Sequence, residues 1–475
     1  MKKRAHILFI PFHRISLLEM MPIALKLVED GIYAPLFLLR SSAFSRDDAA
    51  MVKESGMEVY SLWDFFRFRF KNEKKRHEKK AEDTSKMESS PQGKSGQFKK
   101  RMKSFFRFFM PEILWETLKY IYRILEAHLL YRQKRIFGLV VISDTLPGVE
   151  PPFIKVANRY NIPSLIVPFS LITPMGTAKI RLLKKDYKRN YSLKSIKNRL
   201  ASRFFPTWVY EYEGEKMLAH PVSWALASRI VGVFPDQPWS ICGGEATLVA
   251  VENGFVYDLF KKQGVPEKKM VLTGKPSMDA VYCASQKDKR EVILRELGLS
   301  ERDKVLLCAV PQLAEHEIMS WEKHWKEIEF LLSTFMKFSN MSVVLSLHPR
   351  SNLEDYRKLS EKYRATIAGR RIYELLPIAD VFVATFSTTV MYAVGIGTPT
   401  VVVDFYSLGY DIYDNLPGVK IVREIDKLAA TLHHLNSGVG KRIKMKKEDE
   451  RRWILLDGKC TDRIAEELYC LAEKE

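Results

Sequence analysis

No stretch of this 475-residue chain approaches the ~20 consecutive apolar residues that a membrane-spanning helix needs. Residues Met1 to Pro11 have a basic start but only four apolar residues in a row, Ile7 to Ile10, which reads as a first strand rather than a signal peptide. Cysteine is sparse: Cys242, Cys283, Cys308, Cys460 and Cys470 are odd in number and have no Cys-x-x-Cys or Cys/His spacing. That pattern argues against structural zinc and fits a reducing compartment. No well-placed Asp-X-Asp pair is present to hold a metal. Acidic residues are also nearly missing from two stretches. Residues 66–110 hold 15 Lys/Arg against 5 Asp/Glu, and residues 179–203 hold 10 against 1, so the formal charge of +19 sits almost wholly in these two tracts. Clustered positive charge is a footprint for a polyanion, either nucleic acid or an anionic membrane.

What is present is an ordinary soluble composition, 46% hydrophobic, at a length that suits two domains. His6 to Ile10 reads as a strand, Leu17 to Glu29 as an amphipathic helix and Ala34 to Leu39 as a second strand, a β-loop-α-β opening whose first loop holds His13, with Glu19 beside it; a capping or surface role is the simpler reading of each. Between Asn72 and Gln97 the polar tract has too few apolar residues to offset the entropy of ordering and is expected to be disordered or a mobile loop. Its flanks, Phe66 to Phe70 and Lys99 to Phe109, couple phenylalanines to Arg and Lys, as an interfacial membrane anchor does. A plain solvated insertion is the alternative. Nucleic acid is set aside as a partner, because a single-strand platform is expected to carry its aromatics on a sheet or groove rather than around a floppy tract. Glu112 to Arg135 reads as a helix whose apolar residues, Ile113, Leu114, Leu118, Ile121 and Leu125 among them, pack back on the first domain. The strand from Leu139 ends in Asp144, and the prolines and Gly243-Gly244 between Phe234 and Thr247 mark a loop. The first domain is expected over residues 1–265, with the basic insertion at 66–110, and the second over 266–475.

The chemistry concentrates in the second half. Val381 to Ala384 and Thr400 to Val403 are short β-branched runs, and between them Ser387, Thr388 and Thr389 precede a small-residue helical segment: strand, loop, helix, strand. The loop then lies at a strand's carboxyl end and a helix N-terminus, where unpaired N–H groups favour an anion and where open α/β sheets collect ligands. Ser387 as a mere helix cap is the competing reading. A second buried strand, Val343 onward, leads into His348, Pro349 and Arg350, and a third, Val305 to Ala309, leads into Gln312, Glu315 and His316. An imidazole, a guanidinium and three hydroxyls on strand-end loops can converge on one phosphorylated ligand.

The strand followed by His348-Pro349 and the hydroxyl cluster at 387–389 resembles the donor site of GT-B glycosyltransferases of the bacterial surface-polysaccharide type, including sialyl-, Kdo- and CDP-glycerol transferases. The resemblance extends to Thr273-Gly274-Lys275-Pro276, where Lys275 replaces an Asn, and to Asp457-Gly458-Lys459 with Arg463-Ile464 near the end, a helix that in such proteins packs toward the first domain. It implies an α/β fold of two Rossmann-like domains facing a cleft, with the basic insertion in the first. It implies donor binding by His348, Arg350, Ser387, Thr388, Thr389, Lys275 and Gln312. The nucleotide-sugar or polyol phosphate would be a substrate, with no resident cofactor and no metal, and the acceptor a glycan or lipid-linked polymer. An inverting reaction would need a base from the first domain, Asp144 or His13 in that order. The implied location is cytoplasmic, peripheral on the inner face of the membrane. The strand ending in Asp144-Thr145 also resembles UDP-GlcNAc 2-epimerases, yet the partner Glu and Arg of that family do not follow here. An epimerase or hydrolase, and a nucleotide-binding module without turnover, stand as alternatives.

Overall fold

In the computed structural model the described residues are 5–40, 43–60, 112–170, 172–183, 186–287, 290–311, 313–315, 319–348, 351–385, 387–405, 411–437, 442–445 and 447–473. The basic insertion, its expected disorder and its two aromatic flanks lie outside them. Nine strands form in the first part of the chain: β1 (His6–Ile10), β2 (Ala34–Leu38), β3 (Glu58–Tyr60), β4 (Ile136–Val141), β5 (Ser164–Ile166), β6 (Val209–Tyr212), β7 (Glu215–Leu218), β8 (Leu248–Val251) and β9 (Met270–Leu272). Seven make one sheet in the order β3-β2-β1-β4-β5-β8-β9, all paired in parallel, while β6 and β7 form an antiparallel hairpin. The second sheet joins β10 (Lys304–Ala309), β11 (Met341–Ser346), β12 (Thr366–Ile367), β13 (Val381–Ala384), β14 (Thr400–Val403) and β15 (Val419–Val422) in the order β12-β11-β10-β13-β14-β15, again all parallel. Each sheet is doubly wound: the strand order runs outward from β1 and from β10, then reverses at β4 and at β13. The two Rossmann-like domains expected from the sequence are therefore both present.

The domain boundary needs one correction. Met270–Leu272 falls within the span expected for the second domain, 266–475, but it pairs with β8 as the last strand of the first sheet, so the crossing falls at 273–276 rather than at 265. The chain also returns. The final helix, Cys460–Glu473, buries Ile464 and Leu468 among Ile7, Phe9, Leu17 and Met20 of the first domain, as the resemblance implied. Burying each such side chain contributes ~1.5–3 kcal/mol, which ties the two termini of the chain into one core. The opening helix, Arg14–Asp30, starts at a reciprocal cap between His13 and Ser16 and stops at Gly31, whose φ of +68° only glycine adopts without strain.

The helix Glu112–Gln133 forms as expected but turns a different face inward. It buries Tyr120, Ala127, Leu130 and Tyr131, and it leaves Leu114, Leu118, Ile121 and Leu125 exposed. Apolar residues lie on more than one side of this helix, so periodicity alone did not single out the packed face.

Between β5 and β8 an insertion folds around the β6–β7 hairpin. Trp208 is buried there, stacked on Phe205 with ring centroids 3.9 Å apart. Arg181 lies over Trp239 at 4.6 Å and donates to the Leu218 carbonyl at 3.1 Å, and burial lowers its pKa to about 10. Burial, and then the Arg181 charge, push the neighbouring His220 imidazole down to about 3. Its Nε2 has no hydrogen-bond partner among the described residues. A histidine whose folded pKa lies below its ordinary ~6.5 contributes stability that is present above that pH and lost as pH falls toward the folded value. Acid titration of the folded protein, followed by limited proteolysis within residues 174–240, should show this insertion loosening as pH drops below about 6.5. His220→Phe should flatten that dependence, and an unchanged dependence would assign the acid sensitivity to another group.

Candidate functional site

Parallel strands place all their carboxyl ends on one edge, so the loops after β10, β11 and β13 emerge side by side at the reversal of strand order in the second sheet. The loop after β11 carries His348, half-buried, whose carbonyl accepts the Ser351 N–H at 2.9 Å. The loop after β13 carries Ser387, Thr388 and Thr389. Ser387 Oγ lies 2.8 Å from Thr389 Oγ1 and accepts the Thr389 N–H at 3.2 Å, and the Tyr413 hydroxyl donates to the Ser387 carbonyl at 3.0 Å. Ser387 Oγ thus holds the turn in shape through its contacts with Thr389. The helix that follows, Thr389–Gly395, is short, and the Thr388 side chain makes no cap hydrogen bond. Beside it, Glu315 after β10 accepts from Ser351 Oγ at 3.0 Å and from the Tyr356 hydroxyl at 3.4 Å, which ties the first two loops together. Arg350 and Gln312 lie outside the described residues.

Across the cleft stand three charged groups, Glu19, Lys275 and Glu252. Glu19 on the opening helix is buried and accepts the Ser277 N–H at 2.9 Å. Lys275, 6% exposed at the domain crossing, donates to the Phe169 carbonyl at 2.7 Å. Burial disfavours its ammonium, but the Glu19 carboxylate, with Tyr392 and Glu252 behind it, outweighs that and holds the Lys275 pKa above its ordinary value. Lys275 is thus a buried, hydrogen-bonded cation at the domain crossing. Glu252, just past β8, is the opposite case: burial pushes its carboxyl above the usual range and Lys275 only partly offsets this. Glu252, Lys275, Thr388, Tyr392, Tyr413 and Trp453 line one cavity between the domains. That cavity brings the hydroxyl loop of the second sheet together with the carboxylate end of β8. The sequence signal for Glu252 was its place at a strand's carboxyl end, the same signal that singled out Asp144; Tyr392, within a helix, carried none.

Neither residue expected to act as the base is arranged for it. Asp144 is buried and pairs with Lys269 Nζ at 2.6 Å, while its two oxygens also accept the N–H groups of Gly244 at 2.9 Å and Ala246 at 3.1 Å. Gly244 is required by that contact, since a Cβ there would lie 2.7 Å from the Asp144 carbonyl oxygen. Asp144 is a structural clamp for the loop before β8. His13 caps the opening helix through Nδ1, which accepts the Ser16 N–H at 3.2 Å, so in its neutral form the ring carries its proton on Nε2 and can donate there but not accept. Its ring packs edge-on against Phe169 at 4.5 Å.

One cluster among the described residues has metal-ligand composition: Asp279, Asp457 and Cys460. Asp279 instead accepts the N–H groups of Cys460 at 2.9 Å and Thr461 at 2.7 Å, and Asp457 pairs with Arg463 Nη1 at 2.7 Å. Burial first, then Asp279, pushes the Cys460 thiol up to about 12, which keeps it protonated and a poor ligand. The cluster is a helix cap.

Residues 245–469 match the family model described as CDP-Glycerol:Poly(glycerophosphate) glycerophosphotransferase. No curated protein sequence matches the chain. The fold is similar to that of UDP-GlcNAc 2-epimerase from Neisseria meningitidis bound to UDP-GlcNAc, at 11% identity and a TM-score of 0.53 over 99% of this chain and 100% of that one. It is likewise similar to the UDP-GlcNAc 2-epimerase of Methanocaldococcus jannaschii, in complex with UDP-GlcNAc and UDP, at 12% identity and a TM-score of 0.51 over 98% and 99%. A variant of the wall teichoic acid polymerase TagF matches at 12% identity and a TM-score of 0.50 over 99% of this chain and 89% of that one. These likenesses bear out the GT-B fold.

The Asp144 pair yields a direct test. Asp144→Ala should lower stability by about 3–5 kcal/mol, because Lys269 is left charged and buried without its partner. Asp144→Ala combined with Lys269→Met should recover part of that loss in a denaturant titration. A variant that keeps wild-type stability but loses turnover would return Asp144 to the catalytic machinery.

Proposed function

We propose, from a GT-B fold whose residues 245–469 match the model of a glycerophosphotransferase family, that the protein transfers a nucleotide-activated sugar or polyol phosphate to a growing cell-surface polymer or glycolipid. The observation that carries this reading is that His348 and Ser387–Thr389 follow β11 and β13, which flank β10 at the carboxyl edge of the second sheet, and that Thr388 shares one cavity with Glu252 and Lys275. Phosphate oxygens of the donor would be met by the imidazole, the hydroxyls and the backbone N–H groups of these loops, which stabilise the departing nucleotide as its bond breaks without calling on a metal. With CDP-glycerol as donor, the acceptor hydroxyl oxygen attacks the glycerol-bearing phosphorus, the bond to the CMP oxygen breaks with its electron pair, and CMP leaves. The acceptor proton must go to a group with an open lone pair, and Glu252 is the carboxylate on this cavity whose raised pKa suits it to that role.

The acceptor in this reading is a glycan or a lipid-linked polymer, and the enzyme sits peripherally on the inner, cytoplasmic face of an anionic membrane. No described helix is long and apolar enough to cross a membrane. The aromatic and basic flanks of the 66–110 insertion, which supply one anchor in this reading, lie outside the described residues. An epimerase or hydrolase would convert the donor alone, and a binding module would hold it without turnover. Mass spectrometry of the purified protein with CDP-, CMP-, UDP- and GDP-linked donors, with and without lipid-linked acceptor, separates the three; conversion that needs no acceptor would sink the transferase.

Two variants test the residues. His348→Ala and Ser387→Ala should each weaken nucleotide affinity roughly 10- to 100-fold, the loss of one charge-assisted contact of ~1.5–3 kcal/mol, with the melting temperature kept. Unchanged affinity in both would remove this donor site. Glu252→Gln should lower kcat by at least ~10²-fold with little change in donor KM, because a base acts only in the transition state. The base must be ionised, so activity should rise with pH through a limb lying above the usual carboxylate range, and Glu252→Gln should abolish that limb. A limb that persists in the variant would assign the proton to another group.

A further inference from the structure

The helix Ile196–Phe204, within the second basic tract, carries its apolar side chains on the outer side. Ile196 is 83% exposed, Leu200 56% and Phe204 71%, while Asn198 and Ala201 are buried against the insertion. Spacing of four residues advances a helix by about 40° beyond a full turn, so these three side chains form one narrow stripe. Arg199 and Arg203 border the stripe on one side and Lys197 on the other, and all three are exposed. An apolar centre with cations along both margins is the arrangement of a helix that lies in the headgroup region of a bilayer.

We propose that this face docks on an anionic lipid surface, its three apolar side chains entering the acyl boundary and its cations meeting headgroup phosphates. The inference rests on the membrane-facing reading above and assigns it a surface different from the 66–110 flanks. Charge selects the occupant. Residues 179–203 carry ten Lys/Arg against one acidic residue, so an anionic partner is favoured over a cationic one. Nucleic acid would satisfy the cations but would leave Ile196 and Leu200 in water, whereas lipid satisfies both. Each cation near an anionic leaflet adds to the attraction, and salt screens that share.

The full-length protein should float with vesicles of phosphatidylcholine and phosphatidylglycerol, weakly with phosphatidylcholine alone, and less in high salt. Replacing Ile196→Ser, Leu200→Ser and Phe204→Ser together should lower vesicle partitioning by about 10-fold or more. The charge reversal Lys197→Glu with Arg203→Glu should lower it comparably and remove much of the salt dependence. Neither variant touches the cleft, so turnover of soluble donor and the melting temperature should match wild type. Wild-type vesicle binding by either variant overturns the proposal, as does wild-type protein that ignores anionic vesicles while retaining RNA at the same ionic strength. Loss of vesicle binding in a protein that never turns over any donor would leave the docking face standing and overturn the transferase reading alone.

Discussion

The two domains are held by a joint made from distant pieces of chain. Arg463 Nε donates to the Thr273 carbonyl at 2.7 Å while its two other nitrogens hold Asp457 at 2.7 and 3.1 Å. Asp279, just past the crossing, caps the N-terminus of the last helix by taking the amides of Cys460 and Thr461, where a carboxylate also favours the helix dipole. Gly274 fits between them with φ of +83°; a Cβ there would lie 2.3 Å from Cys460 Sγ. The segments around 273–276 and 457–463, read apart in the sequence, are therefore the two halves of one joint. Without it the last helix would not reach the first domain, and Ile464 and Leu468 would leave a void in that core.

The same joint sets the electrostatics of the cleft. Lys275 sits one residue beyond Gly274, and its burial is tolerable only because Glu19 compensates it from the opposite domain. The Ser277 N–H donates to that same Glu19, so one carboxylate of the first domain serves both Lys275 and the start of the helix that follows it. In the proposed reaction, a donor phosphate beside Thr388 would meet a lysine that already faces a carboxylate, and further attraction would come from the loops after β11 and β13, where His348 and the three hydroxyls lie.

How much of this was legible follows from how strands are buried. Parallel strands covered on both faces read as continuous apolar runs, and the bounds of β13 and β14 were readable to the residue for that reason. The membership of β9 in the first sheet was not readable, because three residues carry no mark of which neighbour they pair with. The helix Glu112–Gln133 was readable as a helix, yet its inward face was set by the helices packed on it rather than by its own pattern. The positions of His348 and Ser387–Thr389 at strand ends were readable. The neutralisation of Lys275 by Glu19 was not, since the two are far apart in the chain and meet only when the cleft forms.

Asp144 and Glu252 show where sequence position stops being informative. Both follow a strand of the first sheet at its carboxyl edge, β4 and β8, with β5 between them. What separates them is how many partners surround each carboxylate. Lys269 and two backbone amides hold Asp144, so three of its four acceptor positions are already taken. Glu252 has a single long contact from Asn253 at 3.4 Å, a cation that is shared with Glu19, and enough burial to raise its proton affinity. The loop clamped by Asp144 leads directly into β8, at whose end Glu252 lies. The heavily paired carboxylate thus helps hold the lightly paired one at the cavity, and the proposed reaction hands its proton to the latter because it has acceptor sites left open.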